Sequence, residues 1–214
     1  MADMSSLDPS VRPALGHDLA VLAERVARRQ PATLAVRASA RAAVAILLVE
    51  AADGLRVLLI RRATRLGDPW SGHVGLPGGR TSPLDTSLRD TAMRETLEEV
   101  GYPLAEKGQL LGQLDDRQAM TRGLTAPLVI SPFLFAVDAA VPLRLAPAEV
   151  EEAFWVPIWD LRAETNQVTW SPDEPGTPAS FPAVKVGRHV VWGLTLRMLR
   201  DVFPLLDGAT PRSP

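Results

Sequence analysis

The run Arg94-Glu95-Thr96-Leu97-Glu98-Glu99-Val100-Gly101 constrains this chain more than any other. Three carboxylates stand at i, i+3 and i+4, which on a helix is one face. Like charges so placed repel and would weaken a helix left to itself. A divalent cation offsets that cost. Hard cations such as Mg²⁺ take carboxylate and carbonyl oxygens and often bridge to substrate phosphates. The run therefore calls for a helix that ends at Gly101 and points toward metal-assisted chemistry on a phosphate. Taken alone, a Glu-x-x-Glu-Glu group is more often a solvated helix face. The residues around it decide the matter.

Hydrophobic spacing places the other elements. His17 to Arg29 carries apolar residues at helical intervals, and Gln30-Pro31 ends it. Ala40 to Glu50 reads as a buried strand. Ala52-Asp53-Gly54 is a hairpin turn, with Leu55 to Ile60 returning. His73 to Leu76 is a short strand leading into Pro77-Gly78-Gly79. Asp85 to Val100 is the glutamate helix, with Asp85 as its N-cap and Leu88, Ala92, Thr96 and Leu97 facing inward. Gln109 to Leu114 and Leu128 to Val137 read as strands, and Ala148 to Ala153 as a brief helix. Phe154 to Pro157 is a strand and Ile158 to Glu164 a helix. Gln167 to Trp170 and Ala183 to Val186 form a hairpin around a proline-rich loop, and Val191 to Leu206 is an amphipathic helix. Strands and helices that do not alternate regularly give an α+β class, a layered mixed-sheet sandwich rather than a doubly wound sheet. The expected organisation is an N-terminal extension with a short helix over 1–36, one domain over 37–206, and a frayed tail over 207–214.

Composition narrows the function classes. A formal charge of −2 gives no long-range pull toward nucleic acid or anionic membrane. The chain has no cysteine, which excludes disulfides, zinc–thiolate sites and cysteine nucleophiles. It shows neither a signal-peptide pattern nor an apolar stretch near the roughly 20 residues of a membrane span. A cytoplasmic protein is the expectation.

The candidate site grows from the residues near the helix. Two glycines at 78 and 79 let the backbone approach a ligand closely, so the Gly78 carbonyl can join Glu95, Glu98 and Glu99 around a cation. Arg94 cannot act as a base, because its guanidinium stays protonated. It can fix a carboxylate or hold a phosphate. A glutamate not fully committed to metal can deprotonate an attacking water. That set of parts suits hydrolysis of a phosphoanhydride.

Gly79 to Tyr102 resembles the Nudix box, G-x5-E-x7-R-E-U-x-E-E-x-G-U, where U is bulky and aliphatic. Arg94, Glu95, Glu98, Glu99 and Gly101 match. Toward the front, six residues on from Gly79 stands Asp85 in place of glutamate, and eight residues separate it from Arg94. One inserted residue accounts for this. Thr96 and Tyr102 also depart at the aliphatic positions. The resemblance implies a Nudix fold, an α/β/α sandwich around a mixed sheet. It also implies Mg²⁺- or Mn²⁺-dependent cleavage of a nucleoside diphosphate linked to another moiety. By position, Glu95, Glu98 and Glu99 would be metal ligands, one of them a base, with the Gly78 carbonyl as a further ligand. Arg94 would orient them.

The insertion with Asp85 is similar to the coenzyme A pyrophosphatase branch. So is Leu58-Leu59-Ile60-Arg61-Arg62-Ala63 followed by Gly72-His73-Val74-Gly75-Leu76-Pro77-Gly78-Gly79, although Leu76 stands where the branch has Phe. Ser131-Pro132-Phe133, Trp155-Val156-Pro157 and Trp192-Gly193-Leu194-Thr195 extend the likeness downstream. Arg61, Arg62 and Arg65 are candidates for the substrate phosphates, and Trp70 for stacking on an adenine. Glu149 is a candidate base or distal ligand, in competition with Glu151 and Glu152. Against these stand ordinary readings: arginines solvated at a strand end, a tryptophan packed in a loop, a hydrogen-bonded His73, a solvated Asp115-Asp116 turn, a solvated helix at 149–152, and Trp192 and Leu196 as core contacts. The expected partner is a small nucleotide, with no nucleic acid or membrane. A homodimer is one use for the terminal helices, and capping of the sandwich the other. An ADP-ribose or nucleotide-sugar pyrophosphatase is the enzymatic alternative. A non-catalytic nucleotide-binding module is a third reading, opposed by the presence of all three glutamates.

Overall fold

The computed structural model describes residues 15–35, 40–65, 70–119, 127–171 and 180–207. The extreme N-terminus, most of the proline-rich loop, the C-terminal tail and Gly67-Asp68-Pro69, which as a sequence reads as a turn, lie outside those residues.

In chain order the elements are α1 (His17–Ala27), β1 (Arg41–Ala51), β2 (Gly54–Arg62), β3 (Val74–Gly75), β4 (Gly78–Arg80), α2 (Leu88–Val100), α3 (Leu104–Lys107) and β5 (Gln109–Gln113). They continue with β6 (Arg117–Ala119), β7 (Leu128–Ala136), β8 (Val150–Pro157), α4 (Ile158–Arg162), β9 (Gln167–Trp170), β10 (Phe181–Val186), β11 (His189–Trp192) and α5 (Gly193–Val202). Strands β1 to β8 form one mixed sheet, in which β1 and β7 run parallel and the other pairs antiparallel. Strands β9, β10 and β11 form a second, small antiparallel sheet.

The unbroken apolar run in β1 follows from burial on both faces. Val44, Ile46 and Leu48 point into a core shared with α1, α4 and α5, while Ala43, Ala45 and Leu47 point to the α2 side. Strand alternation sorts the two sets. The small residues Ala43 and Ala45, with Ala92 on the helix, let α2 lie close to the sheet. The expected α/β/α layering is thus formed, and α1 contributes Leu19, Leu22 and Val26 to one of its cores.

The sheet also opens where the site will lie. β1 and β2 pair only near their hairpin, from Leu48↔Val57 to Ala51↔Gly54. Beyond that they part. β3 fills the gap against β2 through Ile60↔Gly75, and β4 fills it against β1 through Val44↔Gly78. Gly78 has φ 150°, and a Cβ there would stand 2.3 Å from the Ala43 carbonyl oxygen, so only glycine fits this wedge.

Several local expectations give way to tertiary structure. Residues 150–157 are one strand, because pairing with β2 overrides the helix propensity of Ala-Glu-Val-Glu-Glu-Ala. Val191 and Trp192 belong to β11, paired with β10, and the helix starts only at Gly193. On α2 the inward residues are Ala92, Thr96, Glu99 and Val100, whereas Leu97 is exposed. Asp115 and Asp116 are not a solvated turn. Asp116 is buried and accepts from Ser131 Oγ (2.6 Å) and the Leu34 amide (2.9 Å), and Asp115 accepts from Arg29. Among the described residues no helix is long and apolar enough to cross a membrane.

Candidate active site

Helix α2 carries the site, and its ends are set by local chemistry. Ser87, not Asp85, is the N-cap, and its hydroxyl accepts from the Asp90 amide at 3.1 Å. Gly101 ends the helix in the left-handed conformation (φ 69°), which it adopts without strain. The helix packs against β1 and β4, so its glutamates lie over the two glycines. A Cβ on Gly79 would stand 2.5 Å from a Glu95 carboxylate oxygen. Glu99 accepts from the Gly78 amide at 2.9 Å.

Asp85 takes a different part from the expected cap. It receives Arg94 on both oxygens, Nε at 2.9 Å and Nη2 at 3.0 Å, and also the Thr91 hydroxyl and the Ser82 amide at 2.8 Å each. The paired guanidinium holds its carboxyl well below the usual range. Arg94 Nη2 donates to the Arg80 carbonyl as well, and Nη1 reaches Glu95 (2.7 Å) and Glu98 (3.1 Å). Arg94 is thus anchored on one edge and grips two glutamates with the other.

The three glutamates differ in environment. Glu98 is 55% exposed at its side chain, Glu95 15%, and Glu99 as a residue only 2%. Burial pushes Glu95 upward, against the Arg94 charge. Burial pushes Glu99 up to about 7; the charges of Glu95 and Glu149 add to this, while the Gly78 amide and Arg62 oppose it. Glu149 and Arg62 therefore lie within electrostatic reach of the cluster. Glu149 sits in the turn before β8, where its carbonyl accepts from the Ala63 amide at 2.8 Å. Arg65 comes within 3.5 Å of the Glu149 carboxylate and donates to the Ala148 carbonyl at 2.7 Å.

The other predicted residues are divided. Arg61, next to Arg62 on β2, pairs with Glu151 and lies 3.8 Å from Glu152. It lines a separate cleft with His73, Trp170 and Trp192. Trp70 is 43% exposed and meets His73 edge-on at 5.9 Å. Trp192, expected in the core, belongs to this half-exposed aromatic group, whereas Leu196 is buried. Sequence reading passed over Trp170, Phe181 and Arg188, because nothing local ties residues 181–192 to residues 61–74.

Among the described residues no three acidic side chains converge on one point as they stand. Glu95 and Glu98 turn to Arg94, and Glu99 to the Gly78 amide. The donor chemistry nevertheless fits a hard cation: oxygen donors alone, one of them a buried carboxylate whose charge lacks full compensation, over glycines that leave room for close approach.

Residues 39–174 match the family model of the NUDIX domain. The chain belongs to the Nudix family. It is a Nudix hydrolase, and such enzymes act on small nucleotide substrates and in general need a divalent cation such as Mg²⁺ or Mn²⁺. It is 33% identical over 191 residues to the mitochondrial coenzyme A diphosphatase NUDT8 of Homo sapiens, covering 86% of this chain and 78% of that protein. It is 46% identical over 107 residues to an uncharacterized protein of Schizosaccharomyces pombe, covering 49% of this chain; it spans only about a third, 32%, of that relative. Among solved structures, a MutT/nudix family protein from Enterococcus faecalis aligns over 83% of this chain and 64% of its own, with TM-score 0.53 and 20% identity, a likeness of fold.

Proposed function

We propose that this chain hydrolyses the diphosphate of coenzyme A or an acyl-coenzyme A to 3′,5′-ADP and 4′-phosphopantetheine or its acyl form. The observation that carries the substrate is the 33% identity, over 86% of the chain, to a human protein named a coenzyme A diphosphatase. The insertion before Arg94, with Asp85 still bound to that arginine, supports the same branch.

In this reading Glu95, Glu98, Glu99 and the Gly78 carbonyl hold Mg²⁺ or Mn²⁺. The ion supplies charge neutralisation at the diphosphate and eases deprotonation of water. Arg94 orients Glu95 and Glu98 through its Nη1, while Asp85 fixes the opposite edge. Glu149 or a cluster glutamate accepts the proton from the attacking water. Water oxygen joins one phosphorus, and the bridging oxygen departs with the other phosphate. Arg62 and Arg65, next to the cluster, offset charge on the diphosphate. Arg61 serves the rest of the substrate from the neighbouring cleft, and Trp70 serves it from beside His73.

Purified protein with Mg²⁺ or Mn²⁺ is offered coenzyme A, ADP-ribose, a dinucleotide and a nucleoside triphosphate, with products identified by mass. Coenzyme A should yield 3′,5′-ADP. Turnover of ADP-ribose alone refutes the substrate, and no turnover at all refutes the enzyme. Glu98→Gln should lose at least about 100-fold in rate and keep nucleotide binding.

A further inference from the structure

The cleft lined by Arg61 is a second built site. It has a volume of about 430 Å³ and lies between β3 at the edge of the large sheet and β11 of the small one. Its floor is aromatic. His73 stands edge-on to Trp170 at 5.8 Å and to Trp192 at 5.2 Å; the two indoles lie 4.4 Å apart, and Phe181 backs Trp192 at 5.1 Å. Trp170 and Trp192 both line the cleft and are only partly buried. Half-exposed rings gathered in a concavity mark a ligand site.

The rim identifies the ligand. Arg61 and Arg188 each pair with a β8 carboxylate, Glu151 and Glu152 respectively, the latter at 2.7 Å. Two cations already matched by two carboxylates make a polar but nearly neutral rim, ill suited to a bare phosphate. Indole faces with a polar neutral edge suit a flat base, which stacks and keeps its ring nitrogens hydrated. An aliphatic arm would gain little from that rim.

The cleft is also next to the glutamates. Arg62 reaches Glu99 electrostatically, and its backbone amide donates to the His73 carbonyl at 3.0 Å. Consecutive residues of β2 thus serve the two sites. The cleft's far wall, β10 and β11, lies beyond the residues that match the family model. β9, with Trp170, lies within that match.

We propose that this cleft receives the adenine base of the nucleotide half of the substrate, stacked on Trp170 and Trp192. The nature of that nucleotide rests on the coenzyme A reading; the stacking does not. Tryptophan fluorescence of the full chain with Mg²⁺ is titrated with 3′,5′-ADP and, separately, with 4′-phosphopantetheine. The first should quench and the second should not. Trp170→Ala should weaken 3′,5′-ADP roughly 10-fold to 100-fold, the range for loss of one base–aromatic stack, and raise KM with kcat nearly kept. Trp170→Phe should restore most of it. Trp170→Leu keeps bulk without a ring, so it gives the same reading if the alanine variant does not fold. Quenching by 4′-phosphopantetheine alone, or unchanged 3′,5′-ADP affinity in a folded Leu variant, overturns the proposal. A chain inert toward coenzyme A that still binds 3′,5′-ADP through Trp170 refutes the substrate reading and leaves the cleft standing. Coenzyme A hydrolysis with unchanged KM in the Leu variant does the reverse.

Discussion

Glu99 makes the protein least stable where it is most ready for a cation. Without metal, its carboxyl sits at about 7 against an ordinary 4.5. The folded state therefore holds this proton more tightly than the unfolded chain does. Stability from this group is full below pH 4.5 and drains away as pH rises toward 7. At about 1.36 kcal/mol per pH unit, the loss is about 3 kcal/mol, a large share of a typical 5–15 kcal/mol domain stability. Glu99→Gln cannot ionise and still offers an oxygen to the Gly78 amide. The perturbation is thus close to removal of a charge alone.

The assay is urea unfolding in EDTA at pH 5 and pH 8. Wild type and Glu99→Gln should be nearly equal at pH 5. At pH 8 the variant should be more stable by up to about 3 kcal/mol. Groups away from the glutamate cluster titrate in both proteins and cancel in the difference. Mg²⁺ at pH 8 should stabilise wild type more than the variant, by mass action on the folded state. A gap that does not widen between pH 5 and 8, or a wild type that gains on the variant, refutes the account of a buried, undercompensated carboxylate.

Three further outcomes test the frame around it. Asp85→Asn should cost about 1.5–3 kcal/mol by weakening charge-assisted bonds to Arg94; because the Asp85 carboxyl is depressed, the cost is full above its ordinary pKa and shrinks as pH falls below it, which unfolding at pH 7 and pH 3 compares. Gly78→Ala should abolish turnover in the substrate panel and lower the melting temperature, since its Cβ meets the Ala43 carbonyl oxygen and its φ of 150° is strained for any other residue. Leu22→Ala should cost about 2–5 kcal/mol in denaturant unfolding, because α1 is part of the sheet's core.

What the sequence revealed was local. The glutamate spacing and the stop at Gly101 depend on neighbours a few residues away, and the helix ends where it was expected. Elements decided at a distance were misread. Ala148 to Ala153 has the composition of a helix, yet from Val150 on it is strand, through Arg62↔Val150 and Ile60↔Ala153. Val191 looks like the start of a helix until Val184 pairs with it. Asp85 was read as a cap because an aspartate near a helix start usually caps; its partner is nine residues on, and Ser87 does the capping. The aromatic cleft was out of reach for the same reason, since His73 and Trp192 meet only when the small sheet folds onto β3.

The departure at Asp85 also has a physical sense. Its carboxylate takes the Nε and Nη2 edge of Arg94, which leaves Nη1 for the glutamates. In this chain the first acidic position supplies that grip with an aspartate. Arg94 then works as a pivot. Were Glu95 and Glu98 to hold a cation instead, Nη1 would lose both partners, while the Asp85 and Arg80 contacts would keep the guanidinium in place. A guanidinium so anchored would offer Nη1 to a substrate phosphate. Loss of Asp85 should therefore harm turnover more than it harms binding of the ion, and the two can be measured apart in Asp85→Asn by kcat and by Mn²⁺ titration.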